Sequence, residues 1–449
     1  MGKYFGTDGV RGEANRDLTM DMAVRIGQYL GWHARQNSDT PRVLIGQDTR
    51  LSGDMFANAL AAGATSTGAD AWLLGVCPTP AISRLVQTGG FDAGIMVSAS
   101  HNPYTDNGIK VFNHAGNKME EDVLLEIEKY MDGEISLPLA VDDQIGTVRI
   151  WPQGLQEYIR WLQETVPVDL NGVKIAVDLA NGSATSTAVE TLEGLGATVL
   201  AVHDTPDGLN INYHAGSTHP EALQEFVVAN SCNAGLAFDG DADRLIAVDE
   251  NGHLMNGDYL IYILAQDMEA KGHLPEKAVV TTVMANLGLY KALERLQYNS
   301  IQTPVGDKYV IEEMDKHGYN IGGEQSGHII FLEDERTGDG LMTALHLLHT
   351  MVDSGKTLSE LSEGLTIYPQ ALHNVRVYDK QVVLDDEDVK ASIEEVEREL
   401  EGNGRVLVRP SGTEPLIRVM VEAPTQEQCD EACQKVCDVI VEKGYAREQ

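Results

Sequence analysis

The sequence predicts an α/β protein with three related mixed α/β domains and a smaller α+β domain at the carboxyl end. Three observations predict this fold. Apolar strands alternate with helices, which indicates βαβ units and a mostly parallel sheet. The same strand, loop, helix and strand pattern occurs three times, which indicates related domains. The segment after residue 385 follows a different pattern, typical of a separate small domain.

Each of the three repeats begins and ends with a predicted strand. These strands are Arg42–Gly46 and Ala71–Val76, then Val173–Asp178 and Ala197–Val202, then Ala278–Val283 and a strand that ends at Thr303. Their apolar runs are continuous, as in strands that are buried on both faces. Ligands of such sheets bind at the loops beyond the carboxyl ends of the strands, so we expect the functional residues there.

The carboxyl-terminal segment is predicted to begin with an amphipathic helix at Asp386–Glu401. Two strands follow at Arg405–Val408 and Leu416–Val421, and a final helix begins near Gln426. With linkers placed between the repeats, the predicted domains span residues 1–152, 153–252, 253–369 and 370–449.

The composition excludes several classes of partner. The 449 residues carry a formal net charge of −36, from 33 Lys and Arg against 69 Asp and Glu. A surface this acidic repels nucleic acid and anionic membranes, so neither is expected as a partner. The amino-terminal segment has no signal-peptide pattern, and no apolar stretch reaches about 18 residues.

The five cysteines indicate reduced thiols. Their odd number and wide scatter argue against a disulfide framework, and we expect a cytoplasmic protein. Cys429, Cys433 and Cys437 recur every four residues and would share one helix face. A metal site is one interpretation, but no ligand spacing along the chain supports it. Small apolar packing is therefore favoured.

The first candidate site follows the apolar run Ala93–Val97 and contains Ser100, His101 and Asn102. A strand-exit loop is where functional groups gather. Taken alone, the segment is better explained by turn and capping chemistry, because Ser, Asn and Pro all favour turns. A serine beside a histidine is by itself weak evidence for a nucleophile.

The second candidate site places Asp239, Asp241 and Asp243 between two apolar strands. Three carboxylates this close repel each other unless a cation lies among them, and their oxygens suit magnesium, manganese or calcium. An EF-hand is the alternative, since Glu250 occupies its twelfth position. We reject the EF-hand because Arg244 stands where a glycine must turn the loop, and a strand follows.

Two further loops carry polar groups suited to a phosphorylated sugar. In Gly322–His328, the side chains of Glu324, Gln325, Ser326 and His328 suit sugar hydroxyls, and a glycine-rich turn is the alternative. The loop Arg409–Pro415 with Arg418 suits a phosphate, and a tight hairpin loop is the alternative. The glycine-rich segment around Arg11, and Lys110, indicate little when taken alone.

Four motifs together resemble the α-D-phosphohexomutase family over essentially the whole chain. They are Ser-His-Asn-Pro, Asp-Gly-Asp-Ala-Asp-Arg, Gly-Glu-Gln-Ser-Gly-His and Arg-Pro-Ser-Gly-Thr-Glu-Pro, in the family's order. The resemblance implies four domains around a central cleft. It also implies an enzyme that moves a phosphoryl group within a sugar phosphate.

The resemblance implies a role for each candidate residue. Ser100 carries the phosphoryl group, and one Mg²⁺ per chain is bound by Asp239, Asp241, Asp243 and the Ser100 phosphate. Lys110, His328 and Arg244 join Ser100 as catalytic residues, with Lys110 or His328 as general acid or base. The implied substrate-binding residues are Arg11, His101, Glu324, Ser326, Arg409, Ser411, Gly412, Thr413 and Arg418.

The segment Phe5–Gly12 and the amide Gln325 resemble the branch of the family that acts on glucosamine phosphates. That branch interconverts glucosamine 6-phosphate and glucosamine 1-phosphate through a 1,6-bisphosphate, which also activates the enzyme, and serves aminosugar supply for bacterial cell walls. The resemblance also implies a homodimer whose serine is primed by a kinase or by autophosphorylation. A phosphomannomutase/phosphoglucomutase and a magnesium-dependent sugar phosphatase are the alternatives.

Overall fold

The computed structural model describes residues 2–411 and 415–447. These residues form two compact units. The first unit runs to Met284 and resumes over Tyr298–Glu363, and the second comprises Ala285–Gln297 and resumes at Gly364. Three sheets lie in the first unit and a fourth lies in the second.

The first sheet has six strands and a core of apolar side chains packed against its helices. The strands are β1 Val10–Glu13, β2 Arg42–Gln47, β3 Asp70–Val76, β4 Ala93–Val97, β5 Asp106–Asn113 and β6 Val148–Ile150, and the helices are α1 Met20–Asn37, α2 Gly53–Ser66, α3 Thr79–Gly89 and α4 Glu121–Met131. The strand order is β1-β5-β4-β2-β3-β6. Helices α1 and α2 meet so closely that a Cβ on Gly27 would lie 2.2 Å from the carbonyl oxygen of Leu60.

The second sheet has five strands. Its segment of the chain contains α5 Gln153–Thr165, β7 Lys174–Asp178, α6 Ala188–Gly194, β8 Thr198–Val202, α7 Glu221–Asn230, β9 Ala234–Phe238, β10 Leu245–Val248 and β11 Leu254–Met255. The strand order is β11-β10-β9-β7-β8. Strand β10 pairs antiparallel with β9, so the segment after the aspartates is a strand and not the helix of an EF-hand.

The third sheet has four strands. Its segment of the chain contains α8 Gly257–Lys271, β12 Ala278–Thr282, α9 Leu287–Arg295, β13 Asn299–Thr303, α10 Asp307–His317, β14 Ile321–Gly323, β15 Ile329–Phe331, α11 Gly340–Ser354 and α12 Leu358–Leu361. The strand order is β13-β12-β14-β15. Helix α9 belongs to the second compact unit, and the four strands belong to the first.

The three sheets repeat one arrangement. The orders β3-β2-β4-β5, β8-β7-β9-β10 and β13-β12-β14-β15 are equivalent, with three parallel strands and a fourth that pairs antiparallel. The prediction of three related mixed α/β domains is therefore confirmed. The antiparallel hairpin in each sheet was not predicted, because a continuous apolar run does not show the direction of its neighbour.

The fourth sheet is antiparallel, with three strands and helices around it, which confirms the predicted α+β class. Its elements are β16 Gln370–Arg376, α13 Lys380–Asp385, α14 Glu387–Glu399, β17 Arg405–Pro410, β18 Leu416–Glu422 and α15 Gln426–Glu442, and the strand order is β16-β18-β17. The helix predicted over Asp386–Glu401 is shorter. Asp386 is its N-cap, and its side chain accepts from the N–H groups of Asp388 and Val389.

The four predicted domain ranges stay a prediction. Each sheet lies within one range except for β11, which begins two residues beyond the predicted boundary at residue 252 and pairs back onto β10. Among the described residues, the helices are too short or too polar to cross a bilayer.

Candidate active site

Three of the four predicted motifs occupy equivalent places in the fold. Each motif is the loop of an antiparallel hairpin in its sheet. Ser100 lies between β4 and β5, Asp239 to Arg244 between β9 and β10, and Glu324 to His328 between β14 and β15. The first two loops touch, since a Cβ on Gly240 would lie 2.4 Å from the carbonyl oxygen of Ser100.

Ser100 is buried beside the aspartates. Its side chain belongs to a residue that is only 1% exposed, and its Oγ donates a hydrogen bond of 2.6 Å to Oδ2 of Asp239. The backbone of Ser100 has φ +51°, a left-handed conformation that is uncommon for residues other than glycine. The hydroxyl of neighbouring Ser98 is hydrogen-bonded to an aspartate outside the second motif. Its Oγ donates a hydrogen bond to Asp48 and accepts one from the N–H of Ser100.

A buried arginine holds the loop that carries Ser100. The guanidinium of Arg50 is fully buried, pairs with Asp48 at 2.8 Å, and donates to four backbone carbonyl oxygens of the loop. These oxygens belong to Ser100 at 2.9 Å, Asn102 at 2.9 Å, Asp106 at 3.0 Å and Pro103. From the second sheet's segment, the amide of Asn212 donates to the same Ser100 oxygen at 2.8 Å. Arg50 therefore fixes the backbone that positions the serine hydroxyl.

Asp239, Asp241 and Asp243 form a buried cluster suited to a metal ion. One oxygen of each carboxylate lies within 4.8 Å of the other two. Oδ1 of Asp241 and Oδ1 of Asp243 are buried and have no hydrogen-bond partner among the described residues. Unpartnered carboxylate oxygens that converge in this way match the ligand set of magnesium.

The pKa values of the cluster follow from burial and crowding. Burial, and then the charges of Asp243 and Asp241, raise the pKa of Asp239 well above its usual range. Burial also opposes ionisation of Asp243, but Lys110 and His328 outweigh it and hold the pKa of Asp243 well below its usual range. A divalent cation would relieve the repulsion that Asp239 experiences.

Lys110 is the cation of this cluster. Its Nζ lies 2.7 Å from Asp241, 3.2 Å from Asp243 and 3.1 Å from Asp8. Burial alone would lower the pKa of Lys110, but these three carboxylates raise it well above its usual range. Lys110 is therefore an ammonium group, which supplies positive charge and hydrogen-bond donors to the cluster. Thr79 also donates to Asp241 through its Oγ1.

His328 and the third loop lie on the other side of Asp243. Nε2 of His328 lies 3.1 Å from the backbone nitrogen of Gly338, and its Nδ1 lies 3.7 Å from Asp243. In the same loop, Glu324 accepts the N–H of Gly306 at 3.2 Å. The buried Oγ of Ser326 has no partner in the described part of the chain.

The remaining predicted residues of the first unit connect to Ser100 through short contacts. Nδ1 of His101 lies 3.4 Å from Oγ of Ser100 and 3.3 Å from Nη1 of Arg244. Arg11 pairs with Asp8, which in turn contacts Lys110. These contacts join Arg11, His101 and Arg244 to Ser100 and the aspartate cluster.

The predicted phosphate loop lies in the second compact unit, and part of it is described. Arg409 and Arg418 are directly paired residues of β17 and β18, and neither Nε has a partner among the described residues. Ser411 is 3% exposed, and its N–H donates to the carbonyl of Leu416 at 2.9 Å. Two adjacent guanidinium groups favour an anion. Gly412 and Thr413 lie outside the described residues.

The sequence interpretation missed residues that support the site rather than form its motifs. They are Asp8, Asp48, Arg50, Thr79, Asn212 and Asp307. Asp48 and Arg50 directly follow β2, at the carboxyl end of a parallel strand, where functional loops were expected. That rule was sufficient to identify them as candidates. Asn212 and Asp307 carry no comparable local signal.

Glu335, a buried carboxyl between β15 and α11, gives a prediction for stability. Burial raises its pKa from 4.5 to about 7, although its Oε1 accepts from Arg336 N–H and Ser83 Oγ. A raised folded-state pKa makes the folded protein bind more protons, so stability falls as pH rises from about 4.5 to about 7. We expect this loss to reach about 3 kcal/mol, at roughly 1.4 kcal/mol per pKa unit.

The measurement is urea denaturation of the wild type and Glu335→Gln between pH 4.5 and 8. Fluorescence of the four tryptophans reports the first unit, which contains all of them. The variant keeps the acceptor oxygen and cannot ionise, so it should gain stability relative to wild type across this range. The pKa of Asp339 is also raised, so this group titrates in the same range. Because it is present in both proteins, its effect cancels when the two are compared. Parallel pH curves would contradict the prediction.

Comparisons with known proteins agree with this architecture. Four family models match, all described as Phosphoglucomutase/phosphomannomutase: alpha/beta/alpha domain I over residues 2–137, domain II over 156–252, domain III over 256–368 and the C-terminal domain over 372–439.

Relatives and a solved structure cover the whole chain. A phosphoglucosamine mutase of Halalkalibacterium halodurans is 52% identical over 440 residues, 98% of each chain. Another, of Bacillus subtilis, is 50% identical over 441 residues, again 98% of each. A phosphoglucomutase/phosphomannomutase family protein from Burkholderia thailandensis has the same fold, with TM-score 0.80, 23% identity and coverage of 99% and 98%. The chain belongs to the phosphoglucomutase/phosphomannomutase family.

Proposed function

We propose that the chain interconverts glucosamine 6-phosphate and glucosamine 1-phosphate through a phosphorylated Ser100. The observation that carries the proposal is the 2.6 Å hydrogen bond from Ser100 Oγ to Asp239, at the edge of the aspartate cluster. The substrate is supported by relatives named phosphoglucosamine mutase that are 50–52% identical over nearly the full chain.

In the proposed reaction, phospho-Ser100 gives its phosphoryl group to the free hydroxyl of the sugar phosphate. The product is glucosamine 1,6-bisphosphate, which turns around and returns its other phosphoryl group to Ser100. Transfer of this kind is mainly a matter of position and charge. The hydrogen bonds of Arg50 fix the position of Ser100, and the ammonium of Lys110 supplies positive charge. The sugar hydroxyl loses one proton in the transfer and the serine oxygen gains one, so the step needs no net proton.

Asp239, Asp241 and Asp243 would hold one Mg²⁺ together with the Ser100 phosphate. When bound, this ion offsets the negative charge of the phosphoryl group in transfer. His328 orients Asp243, while Glu324 and Ser326 receive the sugar hydroxyls. Arg11, His101 and Arg244 are the proposed contacts beside the serine. Arg409, Ser411, Gly412, Thr413 and Arg418 are the proposed phosphate site of the C-terminal domain.

Substrate and metal dependence test this proposal together. We expect turnover of glucosamine 6-phosphate, with Mg²⁺ and a trace of bisphosphate, to exceed that of glucose or mannose 6-phosphate at equal concentration. Chelation should abolish turnover, and added Mg²⁺ should restore it. A preference for glucose or mannose phosphate would instead support a phosphomannomutase/phosphoglucomutase. Release of inorganic phosphate without isomerisation would support a sugar phosphatase and overturn the mutase proposal.

The proposal extends to priming, assembly, location and domain limits. Burial of the Ser100 hydroxyl favours autophosphorylation from a bisphosphate in the cleft over a protein kinase. The edge strand β6 exposes Val148 at 52% and Ile150 at 80%, which supports pairing with a second copy as a homodimer.

The proposed location is the cytoplasm. The proposed domains are residues 1–152, 153–252, 253–369 and 370–449, supported by one sheet in each.

A further inference from the structure

The C-terminal domain contains a cluster of metal-binding side chains outside the proposed phosphate loop. An imidazole nitrogen of His373 and the sulfurs of Cys433 and Cys437 all lie within 4.8 Å of one another. The sequence favoured apolar packing for these cysteines, because no histidine stands near them along the chain. Strand β16 brings His373 to the helix α15 that carries both thiols.

The backbone around the cluster supports this placement. His373 of β16 is paired with Val419 of β18, and the Cys433 thiol donates to the carbonyl of Val419 at 3.3 Å. Cys433 is 0% exposed and Cys437 is 5% exposed, whereas His373 is half-buried. The two sulfurs therefore face the interior, and the imidazole leaves a path from solvent.

The chemistry of the three ligands differs from that of the aspartate cluster. Thiolates and imidazole suit zinc and related ions, whereas carboxylate oxygens suit magnesium. With Zn–S bonds of about 2.3 Å and Zn–N bonds of about 2.0–2.1 Å, a tetrahedral ion holds its ligand atoms roughly 3.5–4 Å apart. Ligand atoms that lie within 4.8 Å of one another need to approach by at most about 1.3 Å to reach this geometry.

We propose that His373, Cys433 and Cys437 bind one borderline-soft divalent ion of the zinc class, with water as the fourth ligand. Binding replaces two S–H bonds with two metal–sulfur bonds, and both protons pass to solvent. The ion joins the edge strand β16 to the helix α15 and stabilises the folded C-terminal domain. The site is independent of the proposed mutase reaction and does not require phosphorylated Ser100.

Cobalt titration of the chelator-treated, reduced full-length chain tests the site. Co²⁺ bound through thiolates gives an intense sulfur-to-metal absorption band in the near ultraviolet, whereas Co²⁺ at the aspartate cluster does not. We expect one equivalent of Co²⁺ to develop this band and Zn²⁺ to remove it. The matched control is Cys429→Ala, since Cys429 lies on the same helix face, is equally buried, and donates to the carbonyl of Pro369.

The band should persist in Cys429→Ala and disappear in the double variant Cys433→Ala/Cys437→Ala. Because the double variant removes two core sulfurs, His373→Gln provides a second test at a half-buried position. We expect it to bind Co²⁺ at least about 100-fold more weakly, because loss of a direct ligand costs at least as much as loss of a residue that orients one. A wild type without the band, a band that persists in the double variant, or unchanged affinity in His373→Gln would each overturn the proposal.

Discussion

Replacing Ser100 by alanine is expected to reduce mutase turnover by at least about 10³-fold, because the proposed reaction passes through a phosphoryl group on the Ser100 hydroxyl. The serine is fully enclosed, and its Oγ is already hydrogen-bonded to Asp239. The variant loses one small buried atom, so we expect it to fold. Turnover of glucosamine 6-phosphate with Mg²⁺ and bisphosphate is the measurement.

The matched control for this variant is Ser98→Ala. Ser98 is equally buried, lies two residues away, and donates to Asp48 rather than to the aspartate cluster. Its loss removes hydrogen bonds worth about 1–2 kcal/mol and leaves the reacting hydroxyl in place. Intact-mass analysis after incubation with bisphosphate should show one added phosphoryl group in Ser98→Ala and none in Ser100→Ala. Full turnover in Ser100→Ala would refute the phosphoserine mechanism.

Replacing Arg50 by alanine is expected to destabilise the first unit by about 3–5 kcal/mol, the usual cost of removing one partner from a buried ion pair. The change leaves Asp48 without its buried partner and removes one donor from each of four carbonyl oxygens. The loop that carries Ser100 would lose its support, so turnover should also fall. Urea denaturation followed by tryptophan fluorescence measures the loss of stability.

The exposed arginine Arg16 provides the control for Arg50. Its side chain is 73% exposed and pairs with Glu13, an arrangement that usually contributes less than about 1 kcal/mol. Arg16→Ala should therefore unfold at nearly the urea concentration of the wild type. A conservative Arg50→Lys should recover little, since a single ammonium cannot serve five acceptors in fixed directions. If Arg50→Ala and Arg16→Ala unfold at the same urea concentration, the hydrogen bonds of Arg50 do not stabilise the fold.

Local patterns in the sequence were enough to predict the class of the fold and the positions of the motifs. The strand Ala93–Val97 was predicted with its observed limits, because a continuous apolar run bounded by polar residues is a local property. The EF-hand was rejected correctly from one residue, Arg244, and the strand that follows it. These conclusions needed no knowledge of distant contacts.

The way in which the motifs come together depends on contacts between distant parts of the folded chain, so it was visible only in the structure. The structure showed that the three loops close equivalent antiparallel hairpins, a relation that depends on strand pairing and not on local pattern. It placed Lys110 against Asp241, a pair separated by 131 residues, and put Arg50 beneath the serine loop. It also brought His373 to Cys433. Contacts between residues far apart along the chain form only when the whole domain packs, so no local pattern contains them.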